Sequence, residues 1–124
     1  MKNGRPTFFN LLQIQMPVGA LTSITHRLTG ILLALAVPYG VFLLGLSLQG
    51  PRGYAEVAVL FDGWIFRGAT VLVIWALAHH LLAGVRHFLM DIDVGSSLTM
   101  ARRTAWTANL AGAGLAVLAA AVLL

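Results

Sequence analysis

The chain has 124 residues, 59% of them hydrophobic and only 10% charged, with a mean hydropathy of +0.88. Soluble domains carry about 25% charged residues, so this composition is that of a membrane protein, and the length fits one small domain spanning residues 1–124. The net charge of +4 rests on few residues and is read by position, not as a nucleic-acid signature. Without cysteine the chain holds no disulfide, thiolate metal site or iron–sulfur cluster, so a metal here would need histidine.

Residues 6–20, "PTFFNLLQIQMPVGA", are apolar but broken by Asn10, Gln13, Gln15 and Pro17, which suits a short segment lying at the membrane interface. Leu28 to Pro51 then runs for 24 residues without a charge, enough to cross a bilayer at about 20 residues per span. The first span is expected at about 23–49, with Thr22 or Ser23 as its cap and Gly50-Pro51 closing it. Its apolar part is too long for a signal peptide and two further spans follow. The connection over about 50–63 is short and carries no catalytic pattern. Between Arg67 and Arg86 lie 18 residues whose only ionisable members are His79 and His80, giving a second span over about 64–90. "DIDVGSS" (91–97) reads as a compact turn. Thr104 to Leu124 supplies 21 uncharged residues and a third span, alanine-rich, with Gly112 and Gly114 suited to close packing and Asn109 as its polar feature.

The expected architecture is therefore all-α, an integral membrane protein of three transmembrane helices behind an interfacial N-terminal segment. Three spans put Lys2, Arg5, Arg27, Arg86, Arg102 and Arg103 on one side and only Arg52 and Arg67 on the other. That six-to-two bias places the N-terminus in the cytoplasm and the C-terminus across the membrane. No internal repeat is visible, which gives no support to a transporter built from inverted repeats.

The polar chemistry gathers at one membrane face. The first span leaves the cytoplasm at Ser23, His26 and Arg27, and the second returns to it at Arg86, His87 and Asp91. His80 precedes Arg86 by six residues, about 9 Å deeper at 1.5 Å per residue. His80, Gly84 and His87 share a helix face, and Gly84 leaves a smooth slot beside the histidine. A flat macrocycle needs that combination: an imidazole ligand, close backbone approach, and cations near the surface for its propionates. His79 points about 100° away and reads as a packing or polar contact. On spacing alone Arg27 is an ordinary interfacial anchor, His87 is either an interface marker or a cofactor contact, and Asp91 and Asp93 are solvated charges or partners of Arg86. Trp64 and Trp106 read as interfacial belt residues and Trp75 as a deeper packing residue.

"RP" at residues 5 and 6, "SITHRLTG" at 23–30 and "HHLLAGVRHFLMD" at 79–91 together resemble the cytochrome b membrane-anchor subunits of succinate dehydrogenase, respiratory complex II. That family's pattern is an N-terminal Arg-Pro, Ser-x-x-His-Arg-x-[Ser/Thr]-Gly opening the first span, and His-x-x-x-Gly-x-Arg-His, with an Asp soon after, ending the second. Both motifs stand here without gaps, and the resemblance covers the chain in length and span order, in a bacterial form. It implies that His80 is the axial ligand of one haem b, that Ser23 and Arg27 line a ubiquinone pocket, and that His26 and Arg27 lie near the haem propionates. Arg86 and His87 would stand at the cytoplasmic end of the haem pocket. His79 departs from the family, in which many members have tyrosine or another residue there.

A haem held by two imidazoles transfers electrons rather than binding oxygen. One histidine lies at the expected depth and His26 closer to the surface, so the second ligand is expected from a partner chain. The resemblance implies a second small membrane-anchor subunit, an iron–sulfur subunit and a flavoprotein subunit that oxidises succinate, in a bacterial inner membrane. The competing readings are a haem-free anchor and the cytochrome b subunit of another quinone-linked dehydrogenase or of a fumarate reductase. A small transporter is the weakest, since the charges lie at one face only.

Overall fold

The computed structural model describes residues 15–124, and all of its regular structure there is helical: α1 (Val18–Ser47), α2 (Pro51–Asp62), α3 (Trp64–Asp91) and α4 (Leu98–Leu123). The three long helices, of 30, 28 and 26 residues, are apolar enough to cross a membrane. At 1.5 Å per residue they run about 39–45 Å, longer than the roughly 30 Å hydrocarbon core, so each extends into the interfacial layers. Much of their surface is bare leucine, isoleucine, valine and phenylalanine, the surface of a protein whose solvent is lipid.

α1 begins earlier than the expected cap. Pro17, extended at φ −65° and ψ 152°, is its N-cap, and Thr22 and Ser23 lie inside the helix. Thr22 instead returns its hydroxyl to the Val18 carbonyl at 2.9 Å. Of the expected interfacial segment, 18–20 belong to the first turn of α1, and most of the rest lies outside the described residues. Pro38 sits within α1 and leaves the Ala34 carbonyl without its helical donor, a loss that membrane helices tolerate. The close of α1 is as expected: Gly50, at φ +131°, turns the chain, and Pro51 opens the next helix.

The short connection expected over about 50–63 is the helix α2. Proline at its first position and an Arg52–Glu56 pair at i, i+4 (3.2 Å) favour it locally. Gly53 is buried against the end of α1, where a Cβ would overlap the Leu46 carbonyl oxygen. At this end α1, α2 and α3 surround an apolar cavity of about 210 Å³ lined by residues including Tyr39, Leu43, Phe61 and Phe66. Arg67 closes the same end, donating to the Phe61 carbonyl at 2.6 Å and to Leu123 of α4 at 3.5 Å.

α3 packs most extensively on α4 and next on α1. The α3–α4 turn is tight. Asp93, left-handed at φ 60°, donates its N–H to Met90 O at 3.0 Å, and Val94 N–H reaches Leu89 O at 2.8 Å, the double bond of a Schellman ending. Gly95 reverses the chain at φ 75°, and Ser97 caps α4 by accepting from Met100 N–H. α4 therefore starts at Leu98, six residues before its uncharged run, with Arg102 and Arg103 exposed in its first turns.

Candidate functional site

The start of α1, the end of α3 and the start of α4 form one end of the bundle, and the singled-out polar residues lie there. His26 of α1 lies face to face with His80 of α3, with ring centroids 4.0 Å apart and planes 11° from parallel. His87 meets His26 edge-on at 5.2 Å. The i, i+4, i+7 face of His80, Gly84 and His87 is thus the face that receives His26. Depth is corrected for one of these residues. Because α1 starts at Val18, His26 is two turns into the helix and stands level with His80 rather than nearer the surface.

Two glycines make the ring stack possible. A Cβ at Gly30 would stand 3.0 Å from His80 Cε1, and one at Gly84 would stand 3.3 Å from His26 Nε2. Each imidazole therefore lies against the bare backbone of the opposite helix. The slot expected beside His80 at Gly84 receives His26, and His80 has a matching slot at Gly30, which spacing within a single helix does not reveal.

His80 Nδ1 lies 3.0 Å from the His26 carbonyl oxygen and 3.2 Å from the Thr29 hydroxyl. A carbonyl accepts only, and Thr29 has its own carbonyl acceptors at Thr25 and His26 (2.8 and 2.9 Å). Nδ1 therefore carries the proton, and Nε2 keeps a lone pair. This is the arrangement of metal-binding imidazoles, with one nitrogen donating to a carbonyl and the other free to ligate. Among the described residues no group of three or more His, Asp or Glu side chains could hold a bare ion. An imidazole with one nitrogen bonded to a carbonyl and the other free fits haem better than a bare ion, and His80 would be the residue to hold it.

Ser23 is half-buried and Arg27 exposed, one turn apart on α1. Arg86 turns away from the ring stack. It is 8% exposed, and its guanidinium donates to Thr104 Oγ1 at 3.2 Å and to Ala101 O at 3.1 Å on α4, beside Gly19 of α1. Among the described residues it pairs with no carboxylate; Asp91 and Asp93 are exposed.

His79 is 2% exposed, with Nε2 2.9 Å from Asn109 Oδ1 on α4. The same amide oxygen lies 3.1 Å from the Thr22 hydroxyl, so three helices meet at one carboxamide. Gly112 permits the approach, since a Cβ there would be 3.2 Å from His79 Cβ. His79 Nδ1 is buried without a partner, at a cost of about 1–3 kcal/mol, so filling space does not by itself explain an imidazole there. Thr22 and Thr29, both fully buried, and Asn109 are the functional candidates that sequence reasoning missed or left without a partner. The available signal was the recurrence of Thr22, His26 and Thr29 along one helix face.

These features define a multi-pass helical membrane protein with an imidazole site at one end. A family model described as the succinate dehydrogenase/fumarate reductase transmembrane subunit matches residues 1–123. Proteins named succinate dehydrogenase cytochrome b556 subunit, from Coxiella burnetii, Paracoccus denitrificans and Rickettsia conorii, are 31%, 29% and 33% identical to it. The alignments cover 86%, 94% and 84% of this chain and 86%, 90% and 81% of the relatives. The chain belongs to the family of succinate dehydrogenase/fumarate reductase transmembrane subunits.

Proposed function

We propose that this chain is the haem b-binding anchor subunit of a succinate:quinone oxidoreductase and helps to form its ubiquinone-reduction site. The observation that carries the reading is the His80 Nδ1 bond to the His26 carbonyl, which leaves Nε2 free to ligate. His80 would hold the iron, with the second axial ligand from a second small anchor subunit. Arg27 would neutralise a propionate, with His26 beside it and His87 at the cytoplasmic end of the pocket. Arg86, bonded to α4, would support that end of the pocket by fixing the end of α3. Bound there, the haem supplies one-electron transfer.

Ser23 and Arg27, at i and i+4, are available to a quinone ring at the same end. The Ser23 hydroxyl donates to a quinone carbonyl, and the Arg27 guanidinium stabilises negative charge on that oxygen as it develops. Arg27 also contacts a propionate, so one side chain serves both sites. The basic bias of this end supports a cytoplasmic N-terminus and a periplasmic C-terminus in a bacterial inner membrane. Protons then come from the cytoplasm. Electrons come from a docked iron–sulfur subunit, fed by a flavoprotein subunit where succinate is oxidised.

The test is a reduced-minus-oxidised spectrum of the co-purified complex. His80→Ala should abolish or alter the low-spin signal, while His79→Ala keeps it; the reverse result would move the ligand to His79. A haem-free anchor is the second reading. It requires the complex to show no Soret band attributable to this chain.

A further inference from the structure

Thr22, His26 and Thr29 follow i, i+4, i+7 spacing, and among the described residues they make the polar contacts of α1 with the other helices. The contacts at His26 and Thr29 serve His80. The contact at Thr22 runs through Asn109 to His79. Consecutive histidines of α3 thus reach α1 by two routes, His80 directly and His79 by way of α4.

The Thr22 hydroxyl has one proton and already bonds the Val18 carbonyl at 2.9 Å. The carboxamide oxygen of Asn109 faces both neighbours, accepting from His79 Nε2–H at 2.9 Å and, at 3.1 Å from Thr22 Oγ1, sharing the Thr22 proton with the Val18 carbonyl. In that orientation the contact survives only at one register, because a shift of α1 by part of a turn carries Thr22 out of reach and moves the His26 carbonyl off His80. Apolar residues at 79 and 109 would pack the α3–α4 crossing without the orphaned Nδ1. They would not fix the register of α1, since lipid tails offer the same apolar contacts as a neighbouring helix.

We propose that His79, Asn109 and Thr22 are positioning residues, a three-helix clamp that sets the register of α1 and so holds the His26 carbonyl on His80 Nδ1. The proposal rests on the reading of His80 as haem ligand. A carbonyl held on Nδ1–H makes Nε2 a stronger donor and favours ferric iron. A slack clamp lengthens that bond, weakens the donor and favours ferrous iron.

The experiment is a potentiometric titration of the haem in the assembled complex, together with ring-nitrogen NMR of the full chain in haem-free bilayers. Thr22→Val, Asn109→Leu and His79→Phe break the clamp. Thr22→Ser keeps the hydroxyl, and His79→Gln keeps an amide that can meet Asn109. The three disrupting variants should titrate at a higher potential than the unsubstituted complex and lose the single Nδ1–H form of His80, while the two conservative variants match it. Haem lost from Thr22→Val and Asn109→Leu but not from the two conservative variants also supports the clamp; haem lost equally from all five overturns it. Unchanged potentials and unchanged His80 ring signals in the disrupting set overturn it as well. Ring signals that respond in a complex that never binds haem keep the clamp as a register device and overturn the haem reading instead.

Discussion

The two ends of the bundle are held together by different chemistry. At the histidine end the helices meet through polar groups: Thr22, Asn109 and His79; the His26 carbonyl, Thr29 and His80; Arg86 with Thr104 and Ala101. At the other end α1, α2 and α3 meet through apolar side chains around a cavity of about 210 Å³, with Arg67 as a polar tie at the rim. In water the second kind of contact would carry the stability of the fold. In lipid it has little driving force, because the tails are as apolar as the helices. Hydrogen bonds, few and directional, therefore decide how the helices are placed, and they lie where chemistry needs fixed distances.

The sharpest way to probe that contrast is at the exposed rim of the histidine end. Arg27→Leu should lower succinate–quinone activity by about a hundredfold, the order expected for loss of a charge stabiliser, and shift the haem potential. Ser23→Ala should lower it on the order of tenfold, one hydrogen bond's worth. Both should spare succinate oxidation by a dye that accepts electrons upstream of quinone. The two activities are measured side by side in membranes matched for complex content. Equal loss of both signals failed assembly, and unchanged quinone activity in both variants would remove these residues from the site.

Glycines sharpen the comparison next. Gly112→Ala puts a methyl 3.2 Å from His79 Cβ and should cost about 1–3 kcal/mol by overpacking the α3–α4 crossing. Gly114→Ala meets nothing within 4 Å and should change stability by less than about 1 kcal/mol. Thermal denaturation of the full chain in detergent compares them, and equal destabilisation would show that the crossing at His79 is not close-packed. The smallest effect is expected at the apolar end. Ala69→Val, adding methyls toward the cavity, should alter stability by no more than about 1 kcal/mol and leave the haem spectrum untouched. A spectral change there would mean that the two ends are mechanically linked.

The spans were legible because long uncharged runs have few other uses, and the shared end followed from counting crossings. The face formed by His80, Gly84 and His87 was legible from helical spacing alone, and Gly112 as a packing glycine from composition. What misled was the use of charge as a boundary. Arg102 and Arg103 lie within α4 because arginine can reach water from the first turns of a helix, and the cap was Ser97, readable but assigned to the turn. In α1, threonine and serine matched a cap signal that Pro17 had already supplied two turns earlier in the case of Ser23. α2 was signalled by proline after glycine and passed over because it carries no chemistry. The bond from His80 to a backbone carbonyl, and Gly30 opposite it, depend on how two helices meet, and no periodicity within either one records that.

The turn between α3 and α4 has a consequence for the order of assembly. Arg86 and Thr104 are 18 residues apart and His79 and Asn109 30 apart, so the α3–α4 hairpin closes over short loops. His80 meets Thr29 across 51 residues, and Thr22 meets Asn109 across 87. α1 is synthesised first, yet it can find its polar partners only after the hairpin has entered the bilayer. Until then its face of Thr22, His26 and Thr29 has only lipid and interfacial water to meet. The imidazole site is thus expected to mature after insertion, as the first-made helix docks last. In the interval the Thr22 and Thr29 hydroxyls are satisfied by carbonyls of α1 itself, which leaves the His26 imidazole as the polar group that waits for its partner.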